Sequence, residues 1–458
     1  MFDKSKYIDT TESYCPVCLD VIKADLIVEN DQIVISKICK KHGKFKALYI
    51  WDDPGLYKGL SSINKIKNDH PNGIIIDLTL GCNMNCPFCF AFSKEEAEKF
   101  KEPTLEEISE KLKKFKKSKE KKPLTIFLFG GEPTLREDLA AIIKEIKNHG
   151  FEACLFTNGL KLENESYVCE LKKAGLDYVV LQFDGLNEST YKKIRNENLL
   201  RIKLKAIQNL RKNGIIVDFF SVIIKNVNEN EIGNIILFAA KNSDIVKNVY
   251  LSTITYEGRF PVEMKQLTNF ERLKLIEKEF DITKDDFLIC TKFDSYFSEF
   301  IRKLTNIETK HLAMCDIMCY LYLTKSEEIV PLNKLIDLEK LSKLFEESIA
   351  LIDKKNTKIG VFEYIKLSIK FLRIFLYLLS SANKRHLLYF LKYSLLSLKP
   401  LCYGKPPKNR FNKLFRVIVT QFQDRYNIDL KTFENCNLWA ENLDGDIRPF
   451  CERNILRE

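Results

Sequence analysis

Between residues 74 and 285, short apolar runs alternate with segments of helical period. The apolar runs are 74–80 (IIIDLTL), 125–130 (TIFLFG), 153–159 (ACLFTNG), 178–185 (YVVLQFDG), 217–224 (VDFFSVII) and 249–255 (VYLSTIT), and they predict strands. Helical periodicity lies between them at 104–119, 136–149, 164–174, 198–213 and 229–241. Strands alternating with helices imply βαβ units and a parallel sheet. Six units are two short of a closed eight-stranded barrel, so the expected fold is α/β, an open partial (β/α)6 barrel.

The flanks read differently. Residues 1–65 form a short module with YCPVC, a β-like stretch (LIVENDQIVISK) and ICKKHGKF, and 58–73 reads as a linker. After 286 the alternation stops. The chain is mixed to 355, strongly apolar and helical over 356–400, and loop-rich with several cysteines over 401–458. The expected domains are therefore 1–65, 74–285 and 286–458.

The 458 residues are 45% hydrophobic and 30% charged, enough for real cores and against wholesale disorder. The net charge of +10 is concentrated. Residues 360–416 carry twelve basic side chains against Glu363 alone, which leaves the rest of the chain near neutral. The lysine-rich run 111–122 follows Glu102, Glu106, Glu107 and Glu110; acid first and base last reads as a solvated helix. No apolar leader stands at the N-terminus, so a cytoplasmic setting with reduced thiols is expected. Clustered cysteines among the fourteen then point to metal ligation.

The sharpest signal is Cys82-Asn83-Met84-Asn85-Cys86-Pro87-Phe88-Cys89, directly after the first strand of the alternating region. Three thiolates on one loop can hold three irons of a [4Fe–4S] cluster and leave the fourth open to a ligand. A structural zinc site with a distant fourth ligand is the simpler alternative. Gly130-Gly131-Glu132-Pro133 ends the second strand, Thr157-Asn158-Gly159 the third, and Gln182-Phe183-Asp184-Gly185 the fourth.

In this order the motifs resemble the radical S-adenosylmethionine (radical SAM) superfamily, which uses Cys-x3-Cys-x2-Cys with an aromatic, here Phe88, before the third cysteine. The resemblance implies a [4Fe–4S] cluster on Cys82, Cys86 and Cys89 with SAM bound to it. It implies contact of Gly130, Gly131, Glu132 and Pro133 with the methionine amino group. It places Thr157, Asn158, Gln182 and Asp184 at the rim that takes ribose and carboxylate. It also implies a reducing partner such as flavodoxin or ferredoxin.

In the N-terminal module, Cys15, Cys18, Cys39 and His42 have near zinc-ribbon spacing with Cys3His ligation; the mononuclear metal is zinc, or iron if a fourth thiolate replaces His42. A structural role suits this short module. Cys154 and Cys169 read as small buried hydrophobes. The module, the Leu181–Gly185 motif, Tyr256-Glu257-Gly258-Arg259 and the ending Asp444–Cys451 resemble the archaeal tetraether lipid synthase family. That resemblance implies auxiliary clusters and C–C coupling between lipid chains. Two full auxiliary clusters need eight thiolates, and six remain. Cys290, Cys315, Cys436 and Cys451 are the expected ligands of one auxiliary [4Fe–4S] cluster, with Cys402 and Cys319 as possible further ligands.

Within 361–379, Glu363, Lys366, Lys370 and Arg373 form one polar stripe on an otherwise apolar helix. The uncharged runs are too short to span a bilayer, but they fit a helix in the interface of an anionic membrane. A helical pair packed on the barrel is the alternative. The functional expectation is radical attack on lipid chains by a cytoplasmic, peripherally membrane-associated enzyme with no nucleic-acid partner. The alternatives are a radical SAM peptide or cofactor maturase and a non-enzymatic metal-binding module.

Overall fold

The computed structural model describes residues 7–63, 71–90, 100–117, 125–261, 263–305, 312–353, 413–441 and 446–456. Strands β1 (Tyr7–Tyr14), β2 (Val21–Glu29), β3 (Gln32–Cys39) and β4 (Gly43–Leu48) form an antiparallel meander. Asn30 and Asp31 turn β2 into β3 with φ of 51° and 60°, the left-handed pair that a two-residue hairpin requires. Helix α1 (Pro54–Ile63) follows, with Pro54 at its first position and the Asp53 carboxylate accepting the Leu56 N–H at 2.7 Å.

The alternating region then runs β5 (Gly73–Thr79), α2 (Leu105–Lys117), β6 (Thr125–Gly130), α3 (Leu139–Asn148), β7 (Glu152–Thr157), α4 (Glu165–Ala174), β8 (Tyr178–Gln182), α5 (Glu188–Arg195), α6 (Leu200–Lys212), β9 (Ile216–Val222), α7 (Ile232–Lys241) and β10 (Val246–Ser252). Neighbouring strands pair parallel from β5 to β10 in sequence order. Alternate side chains separate two cores. Ile126, Leu128, Leu155, Val179, Leu181 and Val217 face the helices, whereas Phe127, Cys154, Val180 and Phe220 line the inside.

The C-terminal part contains α8 (Asn269–Phe280), α9 (Lys284–Thr305), β11 (Asp316–Leu323), β12 (Ile329–Pro331), α10 (Leu338–Asp353), β13 (Leu414–Thr420), β14 (Leu438–Glu441), β15 (Ile447–Pro449) and α11 (Phe450–Leu456). Its strands extend the same sheet at both edges rather than building a separate one. The order is β12-β11-β13-β10-β9-β8-β7-β6-β5-β14-β15, with β13 parallel to β10 and β14 parallel to β5. The sheet is open, as expected, but two further parallel strands flank the six. They were not legible because they reach the sheet through distant pairing, and β14 has only four residues. Helix α9 also crosses the boundary expected at 285/286.

Among the described residues no helix is long and apolar enough to cross a membrane. The basic apolar stretch at 360–400 lies outside the described residues.

Candidate active site and metal centres

The cysteine loop leaves the C-terminal end of β5, and the Gly-Gly-Glu-Pro turn leaves β6 beside it. The Gly131 N–H donates to the Thr79 carbonyl at 2.7 Å, and the Glu132 N–H to the Gly81 carbonyl at 2.8 Å. This approach needs both glycines: a Cβ at Gly130 would lie 2.0 Å from the Thr79 carbonyl oxygen, and one at Gly131 2.2 Å from that of Gly81. Cys82, Cys86 and Cys89 come close enough to interact electrostatically. Desolvation pushes the Cys82 thiol up to about 11, the Met84 N–H opposes this, and Glu132, Cys86 and Cys89 add to it. Among the described residues only Cys15, Cys18, Cys39 and His42 of the ribbon gather such ligand atoms within 4.8 Å; the three thiols of this loop are nonetheless the donor type that would hold three irons of a [4Fe–4S] cluster.

Glu132 is buried and held by four donors. Its Oε1 accepts the Thr134 N–H at 3.1 Å, the Thr134 hydroxyl at 2.6 Å and the Thr157 hydroxyl at 2.7 Å; its Oε2 accepts the Asn158 N–H at 2.7 Å. Asn158 in turn donates through Nδ2 to Asn83 Oδ1 at 2.8 Å, tying the end of β7 to the cysteine loop. Pro133 is buried in the same turn. The ends of β5, β6 and β7 thus form one network around a fixed carboxylate.

Two cations at this site escaped the sequence reading. Lys203, on α6, is buried; its Nζ donates to the Asn158 carbonyl and to Gln182 Oε1, the latter at 3.1 Å. Burial lowers its pKa to about 8. Arg195, at the end of α5, grips Asp184 with two bonds of 2.8 and 3.0 Å. Its guanidinium lies 4.7 Å from the Phe88 ring centroid and near Cys86. Asp184 was expected at the site rim. It is instead fully buried, with Oδ1 also accepting the Val222 N–H at 3.0 Å, so it orients Arg195 rather than facing the rim. Aspartate beside a buried guanidinium is held there by charge pairing.

In the meander, Cys15, Cys18, Cys39 and His42 have ligand atoms all within 4.8 Å of one another. Cys15 Sγ and Cys39 Sγ lie 3.6 and 3.5 Å from His42 Nδ1, and Cys18 Sγ lies 3.9 Å from Cys39 Sγ. These are the edges of a tetrahedron whose centre suits metal–ligand distances of about 2.0–2.3 Å, as in structural zinc sites. Replacing Cys39 by alanine should abolish stoichiometric zinc binding, read by elemental analysis; retained zinc would remove this site.

The remaining cysteines separate into two groups. Cys315, Cys436 and Cys451 line one cavity of about 190 Å³ inside the sheet. Burial pushes the Cys436 thiol up to about 11 and raises the other two; Cys315 feels both neighbours. The structure does not bring Cys290 to this group. Cys290, on α9, lies 3.7 Å from Cys319 Sγ in the core between α9 and β11. The reason is strand parity: Cys319 faces the helices with Ile317 and Leu321, whereas Asp316 faces the cavity. Cys402 lies outside the described residues. Cys154 is buried as expected and Cys169 half-buried.

The cavity wall is aromatic, with Phe127, Phe156, Phe220, Phe422 and Phe450. Phe90, next to Cys89, stacks on Phe422 at 4.9 Å and meets Phe450 at 5.6 Å. Aromatic surface therefore continues from the cysteine loop into the cavity. Asp218, Asp294, Asp316, Asn248 and Arg416 add polar groups to the same cavity.

The open α/β sheet, the cysteine triad after its first parallel strand and the glutamate network beside it define a radical SAM enzyme. The Radical SAM superfamily matches residues 76–239, and the HMPTM N-terminal zinc ribbon domain matches residues 7–51. Along nearly its whole length the chain belongs to the family of the 7,8-dihydro-6-hydroxymethylpterin dimethyltransferase of Methanocaldococcus jannaschii, to which it is 33% identical over 97% of this chain and 93% of that protein. The GTP 3',8-cyclase of Clostridium perfringens is 33% identical over 46% of this chain, which spans 63% of the cyclase. Among solved structures, Streptococcus suis SuiB bound to its precursor peptide SuiA aligns with a TM-score of 0.39 and 18% identity, over 49% of this chain and 48% of that one. The full-length relative is a pterin dimethyltransferase, not the tetraether lipid synthase that the sequence motifs resembled.

Proposed function

We propose that this radical SAM enzyme methylates a reduced pterin at carbon. The observation that carries this reading is the 33% identity to a pterin dimethyltransferase across 97% of the chain, spanning ribbon, sheet and C-terminal cysteines. The cavity supports it: flat aromatic walls suit a fused ring, and carboxylates suit the N–H donors of an aminopyrimidine edge. Cys82, Cys86 and Cys89 would hold the [4Fe–4S] cluster, with Glu132 receiving the SAM ammonium and Gln182 and Lys203 facing its polar groups. When bound, the cluster and one SAM would supply a 5′-deoxyadenosyl radical that takes hydrogen from carbon, and a second SAM would supply the methyl group and leave as S-adenosylhomocysteine, with two electrons in all from the reductant. The chain's own part is to orient SAM, wall the cavity with aromatics and exclude water. Cys315, Cys436 and Cys451 would hold three irons of one auxiliary [4Fe–4S] cluster beside the substrate. A flavodoxin or ferredoxin would supply electrons.

A second reading, coupling of lipid chains, draws on the same aromatic wall, which would accept a hydrocarbon. Membrane association through residues 360–400 belongs to that reading. Anaerobically reconstituted protein, given a reductant and SAM, separates the two when incubated with 7,8-dihydro-6-hydroxymethylpterin or with diether lipid. The pterin should stimulate deoxyadenosine release and gain one or two methyl groups by mass spectrometry. Stimulation by lipid alone would overturn the pterin reading.

A further inference from the structure

The ribbon and the cysteine loop are far apart in sequence, yet one chain of hydrogen bonds joins them. Ser13 and Lys37 each stand two residues before a ribbon cysteine, Cys15 and Cys39, on strands β1 and β3. Cys39 ends β3, so period two puts it on the same face as Lys37, and Cys15 directly follows the last residue of β1. The two side chains meet: Lys37 Nζ donates to Ser13 Oγ at 2.9 Å. Both then reach the segment 424–429. Lys37 Nζ donates to the Arg425 carbonyl at 2.7 Å, and the Ser13 hydroxyl to the Ile428 carbonyl at 2.5 Å. Lys37 is 1% exposed, so these bonds form away from water.

Arg425 passes the constraint on. Its backbone N–H and Nε donate to Glu257 Oε1 at 2.7 and 2.9 Å, and its Nη2 to Oε2 at 2.7 Å. Glu257 is buried, so this fork is its charge partner. The next residue, Gly258, has φ of +63° and lies against the cysteine loop; a Cβ there would sit 2.5 Å from the Cys89 carbonyl oxygen. Arg259 then pairs with Cys89 as an antiparallel bridge, Cys89 N–H to the Arg259 carbonyl at 2.7 Å and Arg259 N–H to the Cys89 carbonyl at 2.8 Å. The backbone of the third cysteine is thus fixed by a loop that Arg425 fixes, and Arg425 is seated on the ribbon.

We propose that the ribbon is a positioning device for the cysteine loop: Lys37, Arg425 and Glu257 transmit its fold to Cys89, so that a filled ribbon metal site is required for a stable, SAM-responsive cluster. Metal at Cys15 and Cys39 fixes the ends of the two strands that carry Ser13 and Lys37. Losing it frees the seat of Arg425, and with it the backbone of Cys89.

Two variants test this in the full-length, anaerobically reconstituted protein. Cys18→Ser empties the ribbon; Lys37→Met keeps the ribbon ligands and removes only the relay's first donor. Zinc content, the rate of iron loss to a chelator, and the change in the reduced cluster's EPR spectrum on adding SAM are measured in each. Both variants should lose iron at least about fivefold faster and show a weakened SAM-induced change, a coupling of ordinary size. Lys37→Met should do so with full zinc. If Cys18→Ser does not fold, Lys37→Met decides alone. Iron loss and SAM response within about twofold of the parent in a folded, zinc-loaded Lys37→Met protein would overturn the proposal. A parent protein with no SAM-responsive cluster would instead sink the assignment of the cysteine triad.

Discussion

Replacing Cys86 by alanine should abolish reductive cleavage of SAM. Two thiolates then remain where the cluster needs three, so iron content should fall by about four per chain and deoxyadenosine release by about a thousandfold or more. The loss should be confined to this centre. Cys86 is half-buried on a loop, and the glycines and Glu132 that shape the site make their bonds without it. The ribbon should keep its zinc, and any iron held by Cys315, Cys436 and Cys451 should remain. Arg195, near Cys86, stays anchored by its two bonds to Asp184 in the variant. Melting temperature should therefore move little. Elemental analysis, EPR and chromatography of deoxyadenosine read these outcomes together. Cleavage at parental rates would remove the triad from the chemistry.

The cysteine triad was legible because its whole signal is local: three thiols and an aromatic within eight residues, after an apolar run. The same holds for the ribbon knuckles and for the glycines of the Gly-Gly-Glu-Pro turn, whose missing side chains are demanded by backbone approach. Periodicity placed the six central strands within a few residues of where they lie. What failed was whatever depends on partners distant in sequence. Lys203 sits among Arg201 and Lys205 on one helix, and only packing of that helix against the end of β7 selects it for burial. Arg195 ends a short helix rich in charge, whose last turn reads as a solvated face. Spacing carries no sign that α9 packs Cys290 onto Cys319, on the helix-facing side of β11 and away from Cys315, Cys436 and Cys451. The cluster of positive charge at 360–416 suggested a membrane anchor, and residues 360–400 lie outside the described residues; the full-length similarity is to a pterin dimethyltransferase rather than to a lipid enzyme.

Glu132→Gln should keep the cluster and lose SAM. The carboxylate is already fixed before any ligand arrives, by the Thr134 and Thr157 hydroxyls and the Thr134 and Asn158 N–H groups. A buried anion satisfied by neutral donors keeps its full negative charge available to a cation, and the pairing of such a charge with an ammonium is worth about 1.5–3 kcal/mol. Glutamine has nearly the same shape but no charge, and its NH2 must face a donor that formerly served an oxygen. SAM affinity should therefore fall by about ten- to a hundredfold, with deoxyadenosine release reduced at least as much. Calorimetric titration with SAM and the SAM-induced EPR change measure the binding; iron content measures the cluster separately. Glu132→Ala should add a structural penalty, because the same donors lose their acceptor in a buried site, at about 1–3 kcal/mol for each left unsatisfied. The comparison separates the two roles of one side chain. If Gln binds SAM as the parent does while Ala destabilises the protein, Glu132 is only a brace between the ends of β6 and β7. If Gln alone loses SAM at parental melting temperature, the brace and the ligand contact are the same carboxylate.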